Sequence, residues 1–483
     1  MGSLLELTGP ETHPEAPMTQ SHTNARRLKR AHAMLNGPVT GTLAKLAAPN
    51  VIGMLATVLV SVAEGTWAAL LGVEALATVA LVFPFVMLTQ TLAGGAFGGS
   101  TSAAVARALG AGDETRAGRI AFHALMIAVM AGAVLAVVFL SFGAGIFTAL
   151  GGRGDILDDA LAWGAVFFPG AVLVWLSQIS ASVMRGTGNM LLPSLSLVAM
   201  SVISATCSGA FALGWGPLPA LGVPGLALGL LTGHGVVTIL ILLYFAAGGL
   251  GFPVFADLRP ARALFGAILR VAMVAALSPV QTILTTLVVT GFVARFGAEA
   301  LAGYGLGARL EFLMIPITFG FGTAATAMVG TNIGAGNVPR ARTVAWTAAG
   351  MAAALVAGIG FAVAIMPDLW LGLFLDDLAG PVHASAEGYL RIVTPFYGFL
   401  AIGLALYFAS QGAGRVFWPV MAASARLAVV VAGGVVVIGA GGTLGALYAV
   451  IAVAMVGYGL LTALAVLKGD WRPDLPAARP AAR

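Results

Sequence analysis

The sequence predicts an all-α integral membrane protein in which twelve transmembrane helices form two six-helix lobes related by a parallel pseudo-two-fold repeat. Three observations carry this. Of 483 residues, 59% are hydrophobic and only 9% are charged. Apolar runs long enough to cross a bilayer follow one another along the chain, and motifs of the first half recur in the second. An ordinary soluble domain is about a quarter charged. At roughly 20 apolar residues per crossing, twelve crossings take most of the chain and leave no room for a soluble domain of ordinary size.

The first element is residues 1–42, polar, with Pro10, Pro14 and Pro17 ahead of a basic cluster at Arg26, Arg27, Lys29 and Arg30. It lacks the apolar run and small-residue cleavage site of a secretory signal. We read it as a disordered tail on the cytoplasmic side, with Met18 or Met34 as alternative starts. Six apolar runs at 44–70, 76–104, 119–142, 159–184, 190–213 and 222–247 then make an N-lobe over 43–250. Residues 251–263 are a cytoplasmic interlobe linker. Six further runs at 264–294, 300–328, 342–366, 384–410, 417–439 and 443–467 make a C-lobe over 264–468, and 469–483 is a cytoplasmic tail. The runs are long and continuous, where a membrane barrel needs short alternating strands.

The 24 Lys plus Arg against 19 Asp plus Glu give a net +5 that topology accounts for better than nucleic acid does. With a cytoplasmic N-terminus, nineteen of the basic residues fall on cytoplasmic segments and helix ends, and three (Arg153, Arg295 and Arg391) on outer ones. Arg309 and Arg426 remain inside spans. The positive-inside rule therefore places both termini in the cytoplasm of a multi-pass inner-membrane protein. Cys207 is the only cysteine, and the six histidines form no close ligand pair. No metal site, cofactor or enzyme chemistry is expected, and membrane lipid and small organic substrates are the expected partners of a monomer.

Comparing the chain with itself finds three matches in order. Gly72–Ala77 (GVEALA) pairs with Gly297–Ala302 (GAEALA), and Leu109–Asp113 (LGAGD) with Ile333–Asn337 (IGAGN). Pro169, Gly186, Gly188 and Pro193 pair with Pro395, Gly412, Gly414 and Pro419 at a constant offset of 226. Six helices separate each pair, so the halves share one orientation, as in transporters whose lobes surround a central pathway. With these matches, Arg185–Asn189 (RGTGN) after the fourth span and Leu221–Gly225 (LGVPG) opening the sixth, the chain resembles the multidrug and toxic compound extrusion (MATE) family over Lys45–Lys468.

Acids inside spans are costly and should face a cavity; Glu64 and Glu311 are the two that lie well inside. Glu64 stands in an apolar stretch from Leu46 to Val73 with no other charge, and reads either as a proton-binding carboxyl or as a residue at the outer interface. The resemblance favours the first: many prokaryotic members carry an Asp eight residues before the glycine that matches Gly72, which is the position of Glu64. Pro49 lies 15 residues earlier, about 22 Å along a helix. By similarity with the family the first helix bends there when Glu64 changes charge; equally, a proline near a helix start is simply tolerated. The fifth-helix Asn and Asp of proton-coupled members align with Ser204 and Ser208, hydroxyls that can reach Glu64 or serve only in packing.

Glu311 is the candidate second-lobe contact for a cation or substrate, or else part of a structural interlobe or helix-end ion pair. Arg426 is expected to snorkel toward the cytoplasm. Gln178, with Ser177, Ser182, Trp67, Trp163, Phe167, Phe168 and Trp175, either lines an amphipathic cavity or packs. The sodium-coupled subgroup has further acids in the seventh and tenth helices, where this chain has Gln281 and no acid in Tyr397–Ala409, so a proton is the expected coupling ion. The resemblance implies a secondary antiporter exporting amphipathic organic cations by alternating access. A lipid-linked saccharide flippase of the same superfamily and a non-transporting scaffold are the alternatives. One proton suffices energetically, at about 1.4 kcal/mol per pH unit and about 2.3 kcal/mol per 100 mV.

Overall fold

The structure, a computed structural model, describes residues 18–376 and 378–472. Among these, helix α1 (Met18–Asn36) precedes twelve helices long and apolar enough to cross a membrane. They are α2 (Val39–Leu71), α3 (Val73–Gly110), α4 (Glu114–Ala149), α5 (Asp155–Gly186), α6 (Leu191–Leu213) and α7 (Val223–Ala246) in the N-lobe. The C-lobe holds α8 (Arg262–Phe296), α9 (Ala298–Gly334), α10 (Val338–Ile365), α11 (Pro381–Ala413), α12 (Phe417–Gly439) and α13 (Leu444–Lys468). All twelve fall on the expected runs. Leu59, Val137, Leu243, Val436 and Leu467 each expose more than half of their surface, as an apolar belt facing lipid requires.

The tail expectation fails for residues 18–36, which are helical, while residues 1–17 lie outside the described ones. Too polar to bury an apolar stripe, α1 docks through charge and backbone. Arg27 pairs with Glu114 and places its guanidinium 5.9 Å from the Phe252 ring centre. The carbonyl of buried Met34 accepts from Asn332 Nδ2 at 3.1 Å, and Arg340 donates to the Gly37 carbonyl. The interlobe linker is likewise tied to the N-lobe, Asp257 to Arg119 at 3.1 Å and Ala261 N–H to His123 Nε2 at 2.8 Å. Of the C-terminal tail, Gly469 accepts from Arg342 at 2.6 Å and Trp471 is buried, whereas residues 473–483 lie outside the described ones.

The repeat is visible in backbone conformation. Gly112 and Gly336 both have φ +76°, a left-handed turn that a Cβ would strain. The residue after each caps the next helix, Asp113 accepting from Arg116 N–H at 2.8 Å and Asn337 from Arg340 N–H at 3.1 Å. The turns bring the ends of α3 and α9 together across the pseudo-two-fold. A Cβ on Gly110 would lie 2.1 Å from the Thr331 carbonyl oxygen, and one on Gly334 would lie 2.1 Å from that of Arg107.

These contacts belong to a seal at the end of the bundle that carries α1 and the basic loops. Arg107 reaches across to the Gly412 carbonyl at 2.8 Å. Inside α3, residues Leu92–Phe97 form a π-helical turn, which frees carbonyls from the regular ladder. Gln411 of α11 donates to two of them, Gly95 at 3.1 Å and Ala96 at 3.2 Å. Among the described residues, every hydrogen bond joining the N-lobe or α1 to the C-lobe lies in the half of the bundle toward this basic end.

Candidate functional site

Helix α2 runs unbroken through Pro49, ten residues after its start at Val39. The proline is therefore internal, at a place where the helix already lacks one backbone hydrogen bond. Next to it, Asn50 is buried and joins three helices: its amide donates to Thr323 Oγ1 of α9 at 2.9 Å, and its carbonyl oxygen accepts from Ser194 of α6 at 3.1 Å. One turn on, Gly53 packs against the Ser194 backbone, and Val51 meets Gly320 of α9. The basic half of α2 is thus wedged between the lobes.

Glu64 occupies the other half of α2. Its side chain enters a pocket lined by Val79, Val82, Phe83 and Val86 of α3, Trp163 of α5 and Leu226 of α7. The pocket holds about 10 Å³, at the lower limit of what one water occupies. Among the described residues, no side chain or backbone group hydrogen-bonds or ion-pairs with its carboxyl group. An ionised carboxylate in such a setting has no donor to compensate its charge. A bound proton neutralises it without any further partner.

The serines expected beside Glu64 are turned elsewhere. Ser204 donates to the Leu230 carbonyl at 3.2 Å and Ser208 to that of Leu226 at 3.1 Å. Gly233 and Gly229 of α7 let the serine-bearing face of α6 approach this closely, for a Cβ on either would lie 2.1 Å from a serine atom. Both hydroxyls satisfy backbone groups at a helix seam, which hydrocarbon makes favourable. Gln178 is also remote from the carboxyl, its amide packed against Gly94 of the π-helical turn. Of the expected cavity aromatics, Trp163, Phe167, Phe168 and Trp175 are buried. Phe168 stacks on Phe139 with centroids 3.8 Å apart, and Trp163 on Phe167 at 4.5 Å, so they are packing, with Trp163 also touching the Glu64 pocket.

In the C-lobe, Glu311 of α9 is fully engaged. One oxygen lies 3.2 Å from Arg426 of α12 and the other accepts from the Tyr389 hydroxyl of α11 at 3.0 Å. This ion pair lies within one lobe and inside its helices, neither between the lobes nor at a helix end, and Arg426 turns to it instead of snorkelling to the basic end. Arg309 points away, its guanidinium 5.4 Å from the Phe374 ring centre. Asn50, Arg107 and Gln411 were not singled out from the sequence. Gln411 carried a signal, since the offset of 226 makes it the counterpart of Arg185 in the repeat.

The sequence matches the MatE family over residues 49–208 and 275–436. It is 26% identical over 317 residues to a FAD transporter of Shewanella oneidensis, covering 65% of this chain and 70% of that protein. It is 27% identical over 386 residues to the probable multidrug resistance protein NorM of Deinococcus radiodurans, covering 76% and 78%. A solved structure described as the outward-facing conformation of a multidrug resistance MATE family transporter of the MOP superfamily superposes with a TM-score of 0.82 at 24% identity, over 90% of this chain and 96% of that one. A MOP superfamily transporter from Pyrococcus furiosus superposes with the same score at 23% identity, over 90% and 98%.

Proposed function

This chain belongs to the MatE family of transporters, and we propose that it is a proton-coupled antiporter that exports amphipathic organic cations by alternating access. The observation that supports this reading best is Glu64, an acid without a protein partner in an apolar N-lobe pocket away from the interlobe seal. A residue that must take up and release a proton is served by such isolation, because a fixed cation nearby would hold it ionised through the cycle. Glu311 is the contrast. Arg426 and Tyr389 already satisfy both of its oxygens, so it serves the C-lobe structure, and the coupling role falls to Glu64.

The positive-inside rule makes the sealed, basic end cytoplasmic, with both termini there in the plasma membrane. In this arrangement, among the described residues, the lobes are hydrogen-bonded to each other only toward that end. Protonation of Glu64 from the outer medium favours release of the cation, the lobes rock about the wedge of α2, and the proton leaves inside. Pro49 and Asn50 sit where that rocking bends or slides α2. A cationic substrate class is favoured over an anion such as FAD, because the two mid-span arginines are engaged, Arg426 by Glu311 and Arg309 over Phe374. The same engagement counts against a lipid-linked saccharide pyrophosphate.

The test is pH-driven efflux of a fluorescent cation from everted vesicles. Glu64→Gln should abolish it with insertion intact, and replacing sodium by choline should leave the parent unchanged. Efflux by Glu64→Gln at the parent's rate and with the parent's dependence on the pH gradient refutes the assignment.

A further inference from the structure

We propose that His234 is a second proton station of the N-lobe, holding the transported proton in turn with Glu64. The inference rests on the proton-coupled reading above. His234 lies near the middle of α7, eleven residues from Val223 and twelve from Ala246, and is completely buried. Ser177 Oγ of α5 is 2.7 Å from its Nδ1 and donates its one proton to the Val174 carbonyl at 2.9 Å. That network assigns the imidazole proton to Nδ1, which donates to Ser177. Nε2 then carries a bare lone pair, is enclosed in the lobe and has no partner. A buried acceptor left open is rare unless used.

The place of His234 relative to Glu64 is what makes it a station. Leu226 lines the Glu64 pocket and its carbonyl accepts Ser208. One turn on, the Leu230 carbonyl accepts Ser204, and one turn further is His234. Three polar levels thus follow one another along α7 over about 12 Å, the first two against α6 and the third against α5. Beyond His234, toward the basic end, buried Ser180, Ser201, Thr101 and Ser102 hydroxyls on α5, α6 and α3 have no partners.

Ionisable residues on the helices packed against α7 are Lys45 and Glu64 on α2, Glu74 and Arg107 on α3, Cys207 on α6, and Asp155, Asp158, Asp159 and Arg185 on α5. Among the described residues none is hydrogen-bonded or ion-paired to His234. With no ion-pair partner the imidazole rests neutral, and it carries the transported proton only in passing. The step is a net transfer of one proton. The O–H bond of the Glu64 carboxyl breaks, an N–H bond forms at His234 Nε2, and water that enters the lobe as its helices shift in the cycle carries the proton between them. Release toward the basic end restores neutral imidazole.

The experiment uses the full chain in proteoliposomes, with ethidium as the exported probe. His234→Asn keeps a donor where Nδ1 stands and cannot bind a proton. We expect pH-driven efflux to fall by about tenfold or more, with ethidium exchange in the absence of a gradient kept within about twofold. A merely structural histidine lowers both together, and that result overturns the proposal, as does undiminished driven efflux. Should the Asn variant fail to insert, Ser177→Ala retains the imidazole but removes its partner. The pH profile of efflux should then move by about half a unit or more at nearly unchanged maximal rate, and an unmoved profile overturns the proposal. Loss of driven efflux in Glu64→Gln with full activity in His234→Asn refutes the second station alone; full activity in both refutes the Glu64 reading as well.

Discussion

Glu311 and Arg426 form a part-buried ion pair 115 residues apart in sequence, at 3.2 Å, with Tyr389 closing the second carboxylate oxygen at 3.0 Å. Their side chains are only 20% and 11% exposed. Removing one member strands the other charge in the lobe, at a cost of about 3–5 kcal/mol. Glu311→Gln and Arg426→Met should each lower the thermal unfolding midpoint in detergent by several degrees, and the double variant should recover most of the loss. Additive losses in the double variant would mean that the pair is not a unit.

Gly110 and Gly334 occupy equivalent places across the pseudo-two-fold, each against the other lobe's backbone. Because a Cβ at either would sit 2.1 Å from a carbonyl oxygen, Gly110→Leu and Gly334→Leu should both prevent the basic end from closing. Spin labels on the ends of α3 and α9 should report a widened separation by a similar amount in the two variants. Gly266→Leu, at a site with open space around it, is the control and should leave the separation unchanged.

Asn50 and Gln411 hold the lobes together by side-chain hydrogen bonds of about 1 kcal/mol each. Asn50→Leu should therefore shift the population toward the state open at the basic end by roughly fivefold, and Gln411→Leu, which removes two such bonds, by more. The measurement is the labelling rate of a cysteine placed at the α3–α9 seam, in a background lacking Cys207. Rates equal to the parent's would show that these bonds do not hold the closed state.

Glu64→Asp keeps the charge and shortens the side chain by one methylene. In a pocket of about 10 Å³ lined by Phe83, Val86 and Trp163, that change leaves proton binding possible and alters its geometry. Coupled efflux should persist at a rate reduced by about tenfold or less, in contrast to complete loss in Glu64→Gln. Equal loss in both would mean that side-chain length, not proton binding, is what the site requires.

The twelve spans and their repeat were legible because hydrocarbon demands long apolar runs and because Gly112 and Gly336 must adopt the same turn. Glu64 stood out for a related reason, as a lone acid in Leu46–Val73. What the sequence hid were contacts that depend on packing. Helix α1 is held by Arg27, Met34 and Gly37 meeting residues far along the chain, not by an apolar stripe. Ser204 and Ser208 matched a family position yet satisfy the carbonyls of Leu230 and Leu226, because small polar side chains at a helix seam can bond to backbone. The π-helical turn at Leu92–Phe97 has no distinct residue pattern, so the role of Gln411 emerged only with the fold.

Proton exchange by the purified protein is the most direct measurement of what Glu64 does. In weakly buffered detergent solution with a pH indicator, addition of a saturating cationic substrate to the parent should release close to one proton per chain, and Glu64→Gln should release none while still binding the dye. Release of the same proton by Glu64→Gln would contradict the assignment outright.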